Sequence, residues 1–248
     1  TMSNNATLFA LLKTLRFNGM LAHFDELIEV AELKKMNGIE FLQQFLETEI
    51  AYRQTRSLAY RLELAKLPQV KSLENFDCHE TPLDPEQLKR MTQCQFIEHH
   101  YNLLLIGGSG SGKTHLALAF AYAALQQGYR VKFYLFSDLA RQLLHAKNHR
   151  YEANLMARLE RFHALVIDEM GYLPIAPEAG SLLFELFSKL YEKTSLIMTT
   201  HLTFDEWAPL FGNAKASKAM IDRITHHCTI LETGNISWRL KEGTTAKK

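Results

Sequence analysis

The chain has 248 residues, 47% hydrophobic and 22% charged, enough apolar content for one or two packed domains. Lys and Arg number 28 against 27 Asp and Glu, so net charge gives no sign of a nucleic-acid partner and any basic surface must arise locally. Cys78, Cys94 and Cys228 are too few and too scattered for a disulfide framework or a zinc site; with no apolar run of bilayer length and no signal-peptide pattern, a cytoplasmic location is expected.

Residues 6–67 read as helical. Leu8, Leu11, Leu12 and Leu15 recur at helical spacing, as do Phe24, Leu27, Ile28 and Ala31. Gly19 and Gly38 punctuate the run, and a longer periodic stretch from Ile39 stops before Pro68. These features predict a small all-α N-terminal domain over 1–67, or one half of a helical packing surface, with DNA binding or assembly as the role to be weighed from its charges. Residues 68–85 hold Pro68, Pro82 and Pro85 with little periodicity and read as a linker. A short helix is expected around 86–93.

From Asn102 the pattern alternates. Apolar runs at 102–106, 131–136, 164–168, 195–200 and 228–231 read as strands. Helical stretches lie at 113–127, 137–147, 152–162, 178–193 and 215–226. Near-continuous apolar strands separated by helices predict a parallel five-stranded sheet flanked by helices, an α/β domain over 86–242. Residues 243–248 read as a flexible tail.

Gly107-Gly108-Ser109-Gly110-Ser111-Gly112-Lys113-Thr114 meets the Walker A pattern in full, after a strand and before a helix. The glycines let backbone N–H groups converge on phosphate oxygens at a helix N-terminus. Lys113 is placed to neutralise phosphate charge and Thr114 to ligate Mg²⁺; His115 extends the candidate ATP-binding segment. Asp168 and Glu169 end the apolar run Leu165–Ile167, where ligands of parallel sheets gather. Asp168 is the candidate for holding Mg²⁺ and Glu169 for polarising an attacking water. The paired acid favours hydrolysis over a small-molecule kinase, which needs an acceptor pocket.

Three signals are weaker. Thr199-Thr200-His201 closes the strand 195–200 and reads either as a contact to phosphate or water, or as the cap of a following helix. Arg223, alone on a helix, reads as a solvated side chain or as an arginine finger offered to a neighbour's ATP. Between Arg53 and Lys71 the basic residues are Arg53, Arg56, Arg61, Lys66 and Lys71, with Glu63 the only acid. That stripe suits a phosphate backbone or the polar face of an amphipathic helix. His99-His100 and His226-His227 lack metal-ligand spacing and read as structural.

Taken together, GGSGSGKTHL at 107–116, LVIDEMGYLP at 165–174, TTHLTFDEW at 199–207, LFGN at 210–213, AMIDRITHHC at 219–228 and LETGNISWRL at 231–240 make the chain resemble the IstB-like transposition helper ATPases. That family belongs to the AAA+ class and is similar to the DnaC-type helicase loaders. RLELAKLPQVKSLENFD at 61–77 fits the family's junction between helical and ATPase domains. The resemblance implies an ATPase that binds duplex DNA, assembles into ATP-dependent homo-oligomers and acts with a cognate transposase, a helicase loader being the alternative. It puts Arg223 at the arginine-finger position, His201 at the sensor position after the fourth strand, and Arg239 at a candidate second sensor.

Overall fold

The computed structural model describes residues 2–78, 81–211 and 214–235, and the chain divides into two compact units, Thr1–Tyr60 and Arg61–Lys248. Arg239 and the tail 243–248 lie outside the described residues. Among these residues no helix is long and apolar enough to cross a membrane.

The first unit holds α1 (Met2–Thr14), α2 (Asn18–Ala22), α3 (Phe24–Lys34) and most of α4 (Gly38–Ala65). Leu12, Met20, Phe24, Leu27 and Phe45 form its buried core, with Phe9, Phe17 and Phe41 packed against them, whereas Leu8, Leu11 and Leu15 of the same expected helical series are exposed. Gly19 lies inside α2 rather than at a break, and the position demands glycine because a Cβ there would collide with Tyr52.

Glu49 holds this corner together. It is only 4% exposed. Its carboxylate accepts from Gly19 N at 2.7 Å, Met20 N at 3.1 Å and Arg53 Nε at 2.7 Å. Burial pushes its pKa up, but the Arg53 hydrogen bond and the two backbone N–H groups outweigh burial and hold it below the ordinary value of 4.5. A carboxyl depressed in the fold adds stability above its unfolded pKa, and that stability disappears as pH falls through the lowered value. This unit should therefore loosen on acidification below 4.5. Glu49→Ala strands two backbone donors and should cost about 2–4 kcal/mol. A melting midpoint equal to that of the parent would show that the cap contributes nothing.

The second unit begins within α4. Arg61 Nε donates to Leu125 O and Lys132 Nζ to Leu64 O, both at 2.9 Å, and Ala65 is fully buried. These bonds tie the last turn of α4 into the second unit, which begins at Arg61. A 3₁₀ turn (Leu73–Asn75), α5 (Pro85–Met91) and α6 (Gln95–Glu98) lead into β1 (Asn102–Ile106) and α7 (Lys113–Gln126). Then come β2 (Val131–Leu135), α8 (Phe136–Asn148), α9 (Glu152–Leu159), β3 (Ala164–Met170), α10 (Pro177–Leu190) and β4 (Ser195–Thr200). A 3₁₀ stretch (Phe204–Phe211), α11 (Ala214–His226) and β5 (Cys228–Glu232) complete it.

The five strands are parallel in the order β2-β3-β4-β1-β5. β4 is buried at every position, as expected of a strand covered on both faces. The strand order brings the ends of β1, β3 and β4 side by side, so the segments that follow them meet in space.

One strand departs from expectation. β3 does not end at Asp168 but runs on to Met170. Ile167 pairs with Met198 and Met170 with Thr200, so Asp168 and Glu169 together face the single residue Thr199. This is a β-bulge, and Glu169 sits in it with φ 58°, a left-handed conformation unusual for a side chain other than Gly.

Candidate nucleotide site

The Gly-rich loop joins β1 to α7. Gly112 (φ 91°) occupies the N-cap of α7, and a Cβ there would come within 2.6 Å of the Phe76 ring, so both backbone and space demand glycine. Ser111 is 1% exposed. Its hydroxyl bonds Gly108 O and the Thr233 hydroxyl, which makes it a brace for the loop rather than a donor into the cleft. Gly108 N donates to Gly234 O at 2.9 Å. Lys113 Nζ donates to Gly107 O at 2.9 Å and Gly108 O at 2.6 Å, lying back along the loop.

A cleft is lined by Ser109, Gly110, Lys113, Thr114, Glu169, Tyr172, Thr199, Thr200 and His201. Asp168 lies beneath it, 3% exposed. Thr114 Oγ1 donates to both Asp168 oxygens at 3.0 and 3.1 Å. These hydroxyl and carboxylate oxygens are hard donors of the kind Mg²⁺ prefers, so the residues present fit that ion. The bulge turns Glu169 out to solvent beside Lys113 and Thr114, while its neighbours Asp168 and Met170 are buried.

Thr199 organises the two acids. Its hydroxyl donates to Asp168 Oδ1 and accepts from Glu169 N at 3.0 Å. A hydroxyl can do both at once, which a purely apolar β4 residue cannot. The sequence exposed this residue only as part of a polar strand end. Thr200 completes the strand by accepting from Leu202 N and donating to Met170 O. Thr203 and Glu206 cap the following turn, so the stretch both borders the cleft and starts the next element.

His201 lines the cleft and packs edge-on against Tyr172, with ring centroids 5.8 Å apart. Tyr172, three residues beyond Glu169, carried no signal of its own in the sequence. His115 faces away from the cleft. Its Nε2 bonds Ser72 O at 3.0 Å and its ring meets Phe76 edge-on at 5.4 Å. Residues 72–76, read as linker, are thus held against the start of α7.

Arg223 is not brought to this cleft. It is exposed on α11, donates to Ser188 Oγ at 2.6 Å and lies over the Phe184 ring. The neighbouring Ile224 O accepts from the side chain of Asn102 at the start of β1, whereas the loop departs from the end of β1. The length of that strand, about 17 Å at 3.3 Å per residue, lies between them.

Of the basic stripe, Arg53 bonds Glu49 and Arg16 O, and Arg61 bonds Leu125 O. Arg56 stacks near Tyr52, and Arg56 and Lys66 are exposed. Lys71 is half-buried.

A parallel sheet in this order, with a Walker A loop after β1, paired acids on β3 and a polar end to β4 between them, defines a P-loop nucleotide-binding domain of the AAA+ class. Solved structures share the fold. The DnaI structure superposes with a TM-score of 0.54 at 18% identity, over 68% of this chain and 92% of that one. AMPPCP-bound DnaA from Aquifex aeolicus gives 0.53 at 24% identity, over 65% of this chain and 49% of that one. The chain belongs to the IstB-like ATP binding protein family, whose sequence profile matches residues 10–246. The insertion sequence IS21 ATP-binding protein of Pseudomonas aeruginosa is 37% identical over 233 residues, spanning 94% of this chain and 88% of the relative. The IS5376 counterpart of Geobacillus stearothermophilus is 34% identical over 227 residues, with 90% and 89% covered.

Proposed function

We propose that this chain is an ATP-hydrolysing helper of insertion-sequence transposition that assembles with ATP on duplex DNA and directs a transposase to its target. The observation that carries the reading is the division of the catalytic set. Lys113, Thr114, Asp168 and Glu169 meet at one end of the sheet, while Arg223 is exposed at the other. An arginine finger so placed serves the ATP of the next subunit, which makes each site the joint property of two chains. The relatives named for insertion sequences supply the setting.

Within one site the backbone N–H groups of Ser109 to Thr114 and the start of α7 receive the phosphates, and Lys113 leaves the loop carbonyls to neutralise them. Thr114 and Asp168 would hold Mg²⁺, which would supply charge neutralisation at the phosphates. Glu169 takes the proton of the attacking water. His201 offers a hydrogen bond from the rim of the cleft. Thr199 positions Asp168 and Glu169. Thr199→Val keeps the shape and removes both bonds. It should lower kcat about 10–100-fold with the KM for ATP little changed. An unchanged kcat would leave Thr199 a packing residue only.

Arg53, Arg56, Arg61 and Lys66 supply DNA contacts, with exposed Arg56 and Lys66 the first candidates. A modest charge per subunit suffices when several subunits bind one duplex. The test is a duplex-DNA shift with ATP, comparing the parent with Lys113→Ala and Arg223→Ala. Loss of the ATP-dependent assembly in both supports the reading. Assembly unchanged in both sinks it, as would capture of a replicative helicase without any duplex-DNA shift.

A further inference from the structure

Two adjacent histidines at the C-terminal end of α11 lack the sequence spacing of metal ligands, but the fold supplies what the sequence does not. Glu192, in the turn after α10, is brought against His226 and His227, and one ligand atom from each of the three lies within 4.8 Å of the others. His227 Nε2 is 3.9 Å from Glu192 Oε1.

Both rings are steadied by tyrosines. His227 stacks on Tyr101 at 4.8 Å with the planes 5° apart. His226 Nδ1 is 3.0 Å from the Tyr191 hydroxyl. With the proton on Nδ1, donated to the Tyr191 oxygen, His226 keeps its Nε2 lone pair for a ligand bond. Metal-binding imidazoles are commonly oriented in this way through the other ring nitrogen. Glu192 itself sits at φ 56°, a left-handed position that turns the chain back toward β4.

We propose that Glu192, His226 and His227 form a transition-metal site, filled by Zn²⁺ or a chemically similar divalent ion with solvent completing the coordination. Two imidazoles and one carboxylate select such ions over Mg²⁺ and Ca²⁺, which favour all-oxygen sets. Ligand atoms around a tetrahedral zinc stand about 3.4 Å apart, given bonds of about 2.0–2.1 Å. Closing from 4.8 Å takes small side-chain rotations, for which Glu192 and His226 have room because both are exposed.

The site lies at a joint. Glu192 follows α10, which carries Ser188, and His226 lies three residues after Arg223 on α11. Ser188 is the hydrogen-bond partner of Arg223. An ion bridging Glu192 to the two histidines ties the ends of α10 and α11 together and fixes the platform from which Arg223 projects. The proposal concerns metal binding and stands whether or not Arg223 serves a neighbour.

The experiment uses the full, tag-free chain stripped with EDTA. Zn²⁺ is titrated by calorimetry and Co²⁺ by visible absorption, each ion being the probe itself. The expected result is one ion per chain, a rise in melting temperature with Zn²⁺, and a Co²⁺ spectrum lacking the sulfur-to-metal band that a cysteine ligand would give. Glu192→Gln, His226→Gln and His227→Gln should each weaken binding about tenfold or more. Each should also lose the Zn²⁺-induced rise while melting near the parent without metal. Absence of binding by the parent overturns the proposal. So does binding that the histidine variants leave unchanged, which would assign the ion to the cysteines or to Asp168. Should one histidine variant fail to fold, Glu192→Gln, on an exposed turn, decides the matter alone.

Discussion

Glu169→Gln should bind ATP as tightly as the parent and hydrolyse it at least about 100-fold more slowly, the amount a positioned general base contributes. The amide keeps the size of the side chain but cannot take a proton from water. Single-turnover hydrolysis, set beside equilibrium binding of ATP, separates the two effects. A rate within tenfold of the parent would remove Glu169 from the reaction. The same position carries a second prediction, because its backbone is left-handed. Such a conformation costs a residue other than Gly roughly 1–3 kcal/mol at a functional site. Glu169→Gly should therefore lose hydrolysis without losing thermal stability. A variant that melts well below the parent would show that the carboxylate, and not only the bulge, supports the fold.

Arg223→Ala should lower ATP turnover by roughly 10³-fold, the lower end for an arginine that acts on a neighbour's phosphate. Arg223 does not serve its own chain's site, because its side chain lies about a strand's length from the Walker loop. A mixing experiment decides whether it acts between chains. Lys113→Ala lacks a working loop but retains its arginine, and Arg223→Ala has the reverse defect. Each alone should be inactive, and equal mixtures should recover activity at interfaces that join the intact halves. A mixture as inactive as its parts, with assembly intact, would refute the shared site. Lys at position 223 should not rescue, since a compact ammonium lacks the planar fork of donors.

Much of the fold was legible because it rests on periodic burial. The strands at 102–106 and 195–200 and the helix from Lys113 follow from unbroken apolar runs and from glycines at the turn between them. Three helices of the first unit follow in the same way from Leu12, Phe24, Leu27 and Phe45, while the short α2 carries no period of its own. The Walker residues were legible because phosphate binding imposes a local pattern. What escaped depends on partners distant in sequence. No period marks the bulge at Asp168–Glu169, which exists because Thr199, thirty residues on from Glu169, fills it with a hydroxyl. No period over 68–85 marks Phe76, whose ring covers Gly112. Charge counting grouped Arg53 and Arg61 with Arg56, although Arg53 is bonded to Glu49 and Arg61 to Leu125 O. Adjacent histidines gave no hint of Glu192, which only the return of the chain after α10 brings to them.

The brace on the Gly-rich loop has a mechanical consequence. Thr233 and Gly234, which hold Ser111 and Gly108, follow β5, and β5 follows the helix that carries Arg223. Nine residues, nearly all α-helix and strand, thus join exposed Arg223 to the clamp on the chain's own phosphate loop. The strand between them is zipped to β1 from Asn102 to Ile106, so it transmits displacement with little slack. In the proposed assembly, a pull on Arg223 would reach the same subunit's grip on its phosphates, so that a signal passes from site to site along the backbone without any nucleotide leaving its place.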